Sequence, residues 1–323
     1  MLGGVVYALI AGLMWGLVFV CPLLMPEYPP VMLSVGRYLA FGLIALPLGW
    51  LDRRRLSQLS LADWWEALNL AAVGNLMYYF CLASAIQRAG GPLPTMIIGT
   101  LPVVIAIVGN LRNAQRDGVL PWRRLAWPLL VIALGIGCVN ATESGSQHSG
   151  AAMIDLPRYL SGIAFALGAL VCWTWYPLRN ADWLRHHPGR SPRTWATAQG
   201  LATLPLALVG YAGFWFWCHL AEVPLPMPFG PRPESFVALM LAIGLLASWL
   251  GTLCWNEASQ RLPTAIAGQL IVFETLAALS YAYLLRGRWP APVALTGIGL
   301  LVLGVLMAVR VRPERRSALG SDN

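Results

Sequence analysis

Glu274 is the residue whose setting most demands a chemical explanation. It is the lone acid in the apolar run 264–285. An ionisable group at mid-membrane costs about 2.5–3.5 kcal/mol on insertion scales, and Glu274 lies about ten residues, ~15 Å, into its run. Such a carboxylate can bind a substrate ammonium or carry a coupling proton. Its alternative role is packing, as a neutral or hydrogen-bonded group between helices. Arg37 is the second such group, about six residues from the outer end of the run 31–50. It can contact a substrate carboxylate or partner Glu274. Equally, it can bond backbone carbonyls or extend toward the interface. Among 22 arginines and 14 acids, these two alone sit well inside apolar runs.

Polar and aromatic side chains inside other runs form a second set. Asn75 and Tyr79 are four residues apart and share a helix face, which Tyr78 does not. Trp173 and Tyr176 lie in one run, with Trp175 between them; Gln199 lies in the next. Gln269 stands five residues before Glu274, loosely on its face, and Trp249, Asn256 and Tyr281 complete the set. Aromatic walls can hold a cation or a ring, and they are also ordinary helix packing. Nothing suggests an enzyme centre. There is no HExxH, no P-loop and no Ser/His set within the runs. His186 and His187 sit in a basic joint. The six cysteines form no CxxC and read as small buried hydrophobes. No cofactor or metal is expected.

The elements that position these groups follow from composition. The chain is 58% hydrophobic and 11% charged, against about 25% charged in soluble chains. Only a bilayer accommodates so much apolar surface. Runs of spanning length, about 20 residues, recur at 2–23, 31–50, 64–86, 92–111, 125–142, 158–178, 194–220, 235–257, 264–285 and 291–310. Lipid demands internally bonded backbone, and barrel alternation is absent, so the fold class is all-α integral membrane with ten transmembrane helices. The first run is read as a retained helix, since no signal-peptide pattern precedes or ends it. The net charge of +8 is carried by arginines in the joints, not on one face, so no nucleic-acid partner is expected. With the N-terminus inside, inside joints hold 16 arginines and outside joints 5. That places both termini in the cytoplasm of a cell (inner) membrane protein. Trp64, Trp65, Trp122, Trp215, Trp217 and Trp289 fit interfacial belts. The longest joint, about 143–157, is too short for a soluble domain of a receptor or scaffold.

An internal repeat organises the ten segments. Cys81–Arg88 matches Cys254–Arg261 at four of eight positions, offset by 173; Pro94–Val103 matches Pro263–Val272 at six of ten, offset by 169. Trp15 and Trp173 are a weaker echo. Five helices per half is odd, so the halves must be inverted relative to one another, with a midplane site between them. The units are then 1–142 and 158–310, followed by a cytoplasmic tail, 311–323. Gly12 with Gly16, and Ala133 with Gly137, have the spacing of close helix contacts. Pro22, Pro102, Pro128, Pro177 and Pro205 fall inside runs, where they can bend a helix.

These segments resemble the drug/metabolite transporter superfamily, EamA type. The resemblance rests on Gly12-Leu-Met-Trp15-Gly16 in the first helix and Gly36-Arg37-Tyr38 in the second. It continues with Ala85, Pro102, Ala169-Leu-Val-Cys-Trp173, and Phe273-Glu274-Thr275 in the ninth. Thr275 stands where that family often has proline, and Gly287-Arg288 where it often has Gly-Glu. The resemblance implies a secondary exporter of small metabolites such as amino acids or amines, working by alternating access as a monomer or homodimer in the lipid bilayer. The competing class is a membrane-embedded enzyme acting on a lipid or lipid-linked substrate.

Overall fold

The computed structural model describes residues 2–89, 92–112, 121–147, 156–287 and 289–311, and their regular structure is entirely helical. The helices are α1 (Leu2–Leu24), α2 (Pro30–Leu51), α3 (Leu61–Ala89), α4 (Pro92–Gly99), α5 (Leu101–Arg112) and α6 (Trp122–Gln147). They continue with α7 (Leu156–His186), α8 (Pro192–Leu220), α9 (Pro233–Arg261), α10 (Thr264–Leu270), α11 (Val272–Arg286) and α12 (Pro292–Val309). Seven continuous segments are long and apolar enough to cross a membrane, and two further apolar helices are shorter. The protein is therefore an all-helical membrane protein with seven to nine apolar spans among its described residues.

Local chemistry sets the helix ends. Proline opens α2 and α8, where its missing N–H is not needed. Ser60 and Asp63 form a reciprocal capping box at the start of α3. Gly287 takes a left-handed φ of 59° at the end of α11. Helix α7 runs two turns past the expected end at 178. Arg179 ends the apolar run, yet the helix continues: its guanidinium makes two hydrogen bonds to Glu66 of α3, 2.7 and 3.0 Å, and Asn180, Ala181, Trp183 and Leu184 beyond it are buried. Both α3 and α9 contain a π-helical stretch, Leu70–Met77 and Gly244–Leu250, where bonding shifts to i→i+5.

Helices approach closely where glycine faces a partner. A Cβ on Gly12 would sit 2.9 Å from Phe273, and one on Gly16 would sit 2.6 Å from Ala277. The expected Gly12/Gly16 face thus lets α1 lie directly on α11. In α6 it is Gly135, not Gly137, that backs onto Gly297 and Leu301 of α12; Gly137 faces open space. The two glycines differ by two residues, about 200° around the helix, so only one can face α12. Proline also falls inside α2, at Pro47, which the run pattern did not flag.

Large apolar side chains such as Leu13, Leu43, Val171, Val209 and Leu241 point outward. Trp65, Trp122, Trp215, Trp217 and Trp289 are exposed near helix ends, as interfacial anchors would be. Gly90, Gly91, residues 113–120 with Arg116, residues 148–155, Arg288 and the tail from 312 with its arginines lie outside the described residues.

Candidate functional site

The apolar run that carries Glu274 is two helices. α10 ends at Leu270 and α11 begins at Val272, with Ile271 between. The Ile271 N–H bonds Gly268 O at 3.3 Å, and the Glu274 N–H bonds Ile271 O at 2.9 Å. Glu274 therefore stands in the first turn of α11, one turn past the step at Ile271 and inside the bundle. The glycine face of α1 covers it, and only 2% of its surface is exposed.

An aromatic wall meets this carboxylate. The indole N–H of Trp173 donates to Glu274 Oε2 at 3.3 Å. Trp173 stacks on Tyr78 (4.4 Å, 15°) and on Tyr176 (5.1 Å, 6°). Trp15 meets Trp173 edge-on at 5.0 Å and lies against Trp255 at 5.2 Å. Helices α1, α3, α7 and α9 each contribute one or two rings, so the wall exists only in the folded bundle.

Arg37 is buried to 4% exposure. Its Nε donates to Ser248 Oγ at 2.9 Å. Its guanidinium carbon sits 4.8 Å from the Tyr38 ring centre and 4.9 Å from that of Tyr79. Nη1 is buried without an acceptor. No ion pair joins Arg37 and Glu274, each being held by other partners. Ser248 belongs to the π-helical stretch of α9, whose widened turn carries it toward α2.

Gln199 occupies the contrasting position on α8. Its Oε1 accepts from Tyr176 Oη at 2.9 Å and its Nε2 donates to Asn180 Oδ1 at 3.0 Å. Asn180 also accepts from Trp195 Nε1 at 2.9 Å and donates to Asn256 at 2.8 Å. Asn75 donates to Thr203 Oγ1 at 3.3 Å, and Thr203 returns a bond to Gln199 O. This is a closed polar chain through α3, α7, α8 and α9.

The structure thus brings Glu274, Trp173 and Tyr176 to one wall, Arg37 and Tyr79 to a second cluster, and Asn75 with Gln199 to the chain that joins Tyr176. Gln269 is fully buried, and neither polar atom of its side chain has a hydrogen-bond partner. Tyr78 and Tyr79 both face the interior, one on Trp173 and one over Arg37, because α3 is packed on more than one side at this level. The sequence reading chose Tyr79 and left out Tyr78. It also left out Trp15, Tyr38, Ser248, Trp255 and Asn180 as site residues. Trp15 carried a signal as the echo of Trp173. Asn180 did not, since it lies beyond the apolar run.

Both ends of the bundle are tied. At the α1–α2 end, Tyr28 Oη donates to Phe229 O (3.0 Å) and accepts from the Arg232 N–H (2.8 Å), and its ring stacks on Phe236. At the α2–α3 end, Asp63 accepts from Trp183 Nε1 (2.8 Å) and stands 3.6 Å from His187 Nε2.

Comparisons with known proteins bear on the family and the fold. Residues 2–116 match the EamA-like transporter family. The chain is 57% identical over 315 residues to inner membrane protein YtfF of Escherichia coli (strain K12), covering 98% of this chain and 97% of that one. A solved crystal structure with 17% identity superposes with a TM-score of 0.68, covering 94% of this chain and 96% of its own; it bears on the fold alone.

Proposed function

The chain belongs to the EamA-like transporter family, and we propose that it exports small metabolites such as amino acids or amines by alternating access around Glu274. It is a multi-pass inner membrane transporter, and its family is not an enzyme family. The observation that carries the finer reading is a buried carboxylate in the first turn of a mid-bundle helix, hydrogen-bonded to Trp173 and walled by rings. Discontinuous helices at a midplane site are the usual means of handling charged cargo in membrane carriers. The tied ends fit a closed state, from which either end would open in turn.

Ten spans in two inverted halves, 1–142 and 158–310, with both termini cytoplasmic, form part of this proposal. Several pairings support it. The two π-stretches carry Asn75 and Ser248, which are 173 residues apart. Arg37 and Gln199, the eighth residues of α2 and α8, are 162 apart. Trp15 and Trp173 are 158 apart and touch each other. Trp173 lies on Tyr78, while Trp15 lies on Gly251, 173 residues beyond Tyr78. The step at Ile271 has a twin at Thr100, where the Thr100 N–H bonds Ile97 O and the Val103 N–H bonds Thr100 O. Those steps are 171 residues apart, between the two offsets read from sequence matches.

The test is metabolite flux in proteoliposomes under an imposed pH gradient, for wild type and Glu274→Gln. Wild-type flux is expected to follow the gradient, and that of the variant to fall and lose its pH response. Normal transport by Glu274→Gln across pH would remove Glu274 from the mechanism.

A further inference from the structure

Two neighbouring concavities at the α2–α3 end of the bundle share Arg55 and use their arginines differently. In one, Arg190 is occupied by Gln58, with bonds of 2.9 and 2.6 Å, and Arg261 pairs with Glu257. In the other, a cleft of about 460 Å³, Arg53, Arg54, Arg55 and Arg193 surround a single acid, Asp52. That acid is already engaged. Thr194 donates to its Oδ2 at 2.5 Å, and Arg55 stands 3.8 Å from its Oδ1. Arg53 is held on Trp50, by a 3.1 Å bond to the carbonyl and by the ring at 4.9 Å. Arg54 and Arg193 are exposed and have no acidic partner among the described residues. Four positive charges therefore converge on one negative charge, from the joint after α2 and from the start of α8. An apolar stripe leads to this cleft. Leu43, Leu46 and Trp50 recur at helical spacing on α2 and are exposed, and Leu51, which lines the cleft, is 71% exposed. Guanidinium forks suit phosphate oxygens, and basic pockets beside membrane helices take anionic headgroups.

We infer that this cleft binds the phosphate headgroup of an anionic phospholipid, whose acyl chains lie along the α2 stripe. Arg54 and Arg193 contact the phosphate, and Trp50 with Arg53 marks the level where headgroup gives way to hydrocarbon. The stripe favours a lipid over a free phosphate, which has no hydrocarbon to lay on Leu43 and Leu46. A zwitterionic lipid brings its own cation and leaves the excess charge of the cleft unanswered. The bound lipid bridges the joint after α2 and the start of α8, the two segments that Asp52 and Thr194 already tie. The inference is independent of the cargo that the bundle carries.

The experiment uses the full chain, purified in uncharged detergent. It is titrated with phosphatidylglycerol, with phosphatidylcholine of the same acyl chains, with glycerol phosphate and with inorganic phosphate. Native mass spectrometry counts the lipids retained, and thermal unfolding follows stabilisation. Wild type is expected to prefer phosphatidylglycerol to phosphatidylcholine by at least ~10-fold. The pair Arg54→Gln with Arg193→Gln is expected to lose most of that preference. Its melting without lipid should match wild type, since neither side chain has an acidic partner to lose. The pair Arg54→Lys with Arg193→Lys keeps the charges without the forks and is expected to keep part of the preference, which separates recognition from folding. Arg315→Gln with Arg316→Gln, an equal loss of charge in the tail, is expected to keep all of it. A preference retained by the glutamine pair, or no preference in wild type, would overturn the site. An equal loss in the tail control would reduce it to bulk charge attraction. Stabilisation by glycerol phosphate or inorganic phosphate equal to that by the lipid would overturn the lipid as its occupant.

Discussion

Arg37 and Gln199 are each the eighth residue of a proline-opened helix, and α2 packs on α8, yet their surroundings are completed in opposite ways. Around Gln199 every amide group is used: Tyr176, Asn180, Trp195 and Asn256 form an unbroken chain, all of it buried. Around Arg37 a full charge is held by one hydrogen bond and two rings, with a donor left over. A satisfied buried network adds rigidity, whereas an unsatisfied charge is tolerated where another molecule completes it. The same scaffold position is therefore closed by hydrogen bonds on α8 and left with an unpaired donor on α2.

The largest stability effect should come from the hydrogen-bonded chain. Asn180→Ala removes three hydrogen bonds at once and leaves buried groups on Gln199, Trp195 and Asn256 without partners. Individual bonds inside membrane proteins average about 0.6 kcal/mol, and stranded polar groups add to that, so a loss of about 2–4 kcal/mol is expected. Thermal unfolding in detergent measures it. A loss under the value for Ser248→Ala would invert the comparison and make the Arg37 side the structural one.

Ser248→Ala should cost less, about 1–2 kcal/mol, because it removes one acceptor from a guanidinium that remains between Tyr38 and Tyr79. Its signature differs from that of Asn180→Ala. Transport affinity should fall along with stability, because the freed guanidinium can rotate away from its bound geometry. Parallel unfolding curves and proteoliposome KM values separate the two. A stability loss with unchanged KM would make Ser248 a packing residue only.

These contrasts also mark what sequence could reveal. Glu274 and Arg37 stood out because a charge inside an apolar run is rare and costly, so position alone identified them. Trp173 and Tyr176 were legible as rings in a span, but their stacking on Tyr78 was not. That contact arises because α3 is packed on more than one side at this level, which leaves no mark in an apolar sequence. Ser248 was missed because its approach to Arg37 depends on the π-stretch of α9. Asn180 was hidden because Arg179 ended the apolar run, and the cross-helix contacts made beyond it, Arg179 with Glu66 and Trp183 with Asp63 among them, are not written in run length. Apolar run length therefore located the helices well, while helix phase and cross-helix ion pairs needed three dimensions.

The smallest effect should be at Asn75, and it probes the comparison most finely. Asn75 and Ser248 occupy matching π-stretches, and each serves the helix that carries Gln199 or Arg37. Asn75 reaches Thr203 across 3.3 Å, a long bond between neutral groups, and Thr203 keeps its own bond to Gln199 O when Asn75 is removed. Asn75→Ala should therefore cost only about 0.5 kcal/mol and leave KM unchanged. A cost near that of Ser248→Ala would mean that the α3 side carries as much weight as the charged one. A raised KM with unchanged stability would move Asn75 from the hydrogen-bonded chain to the cargo.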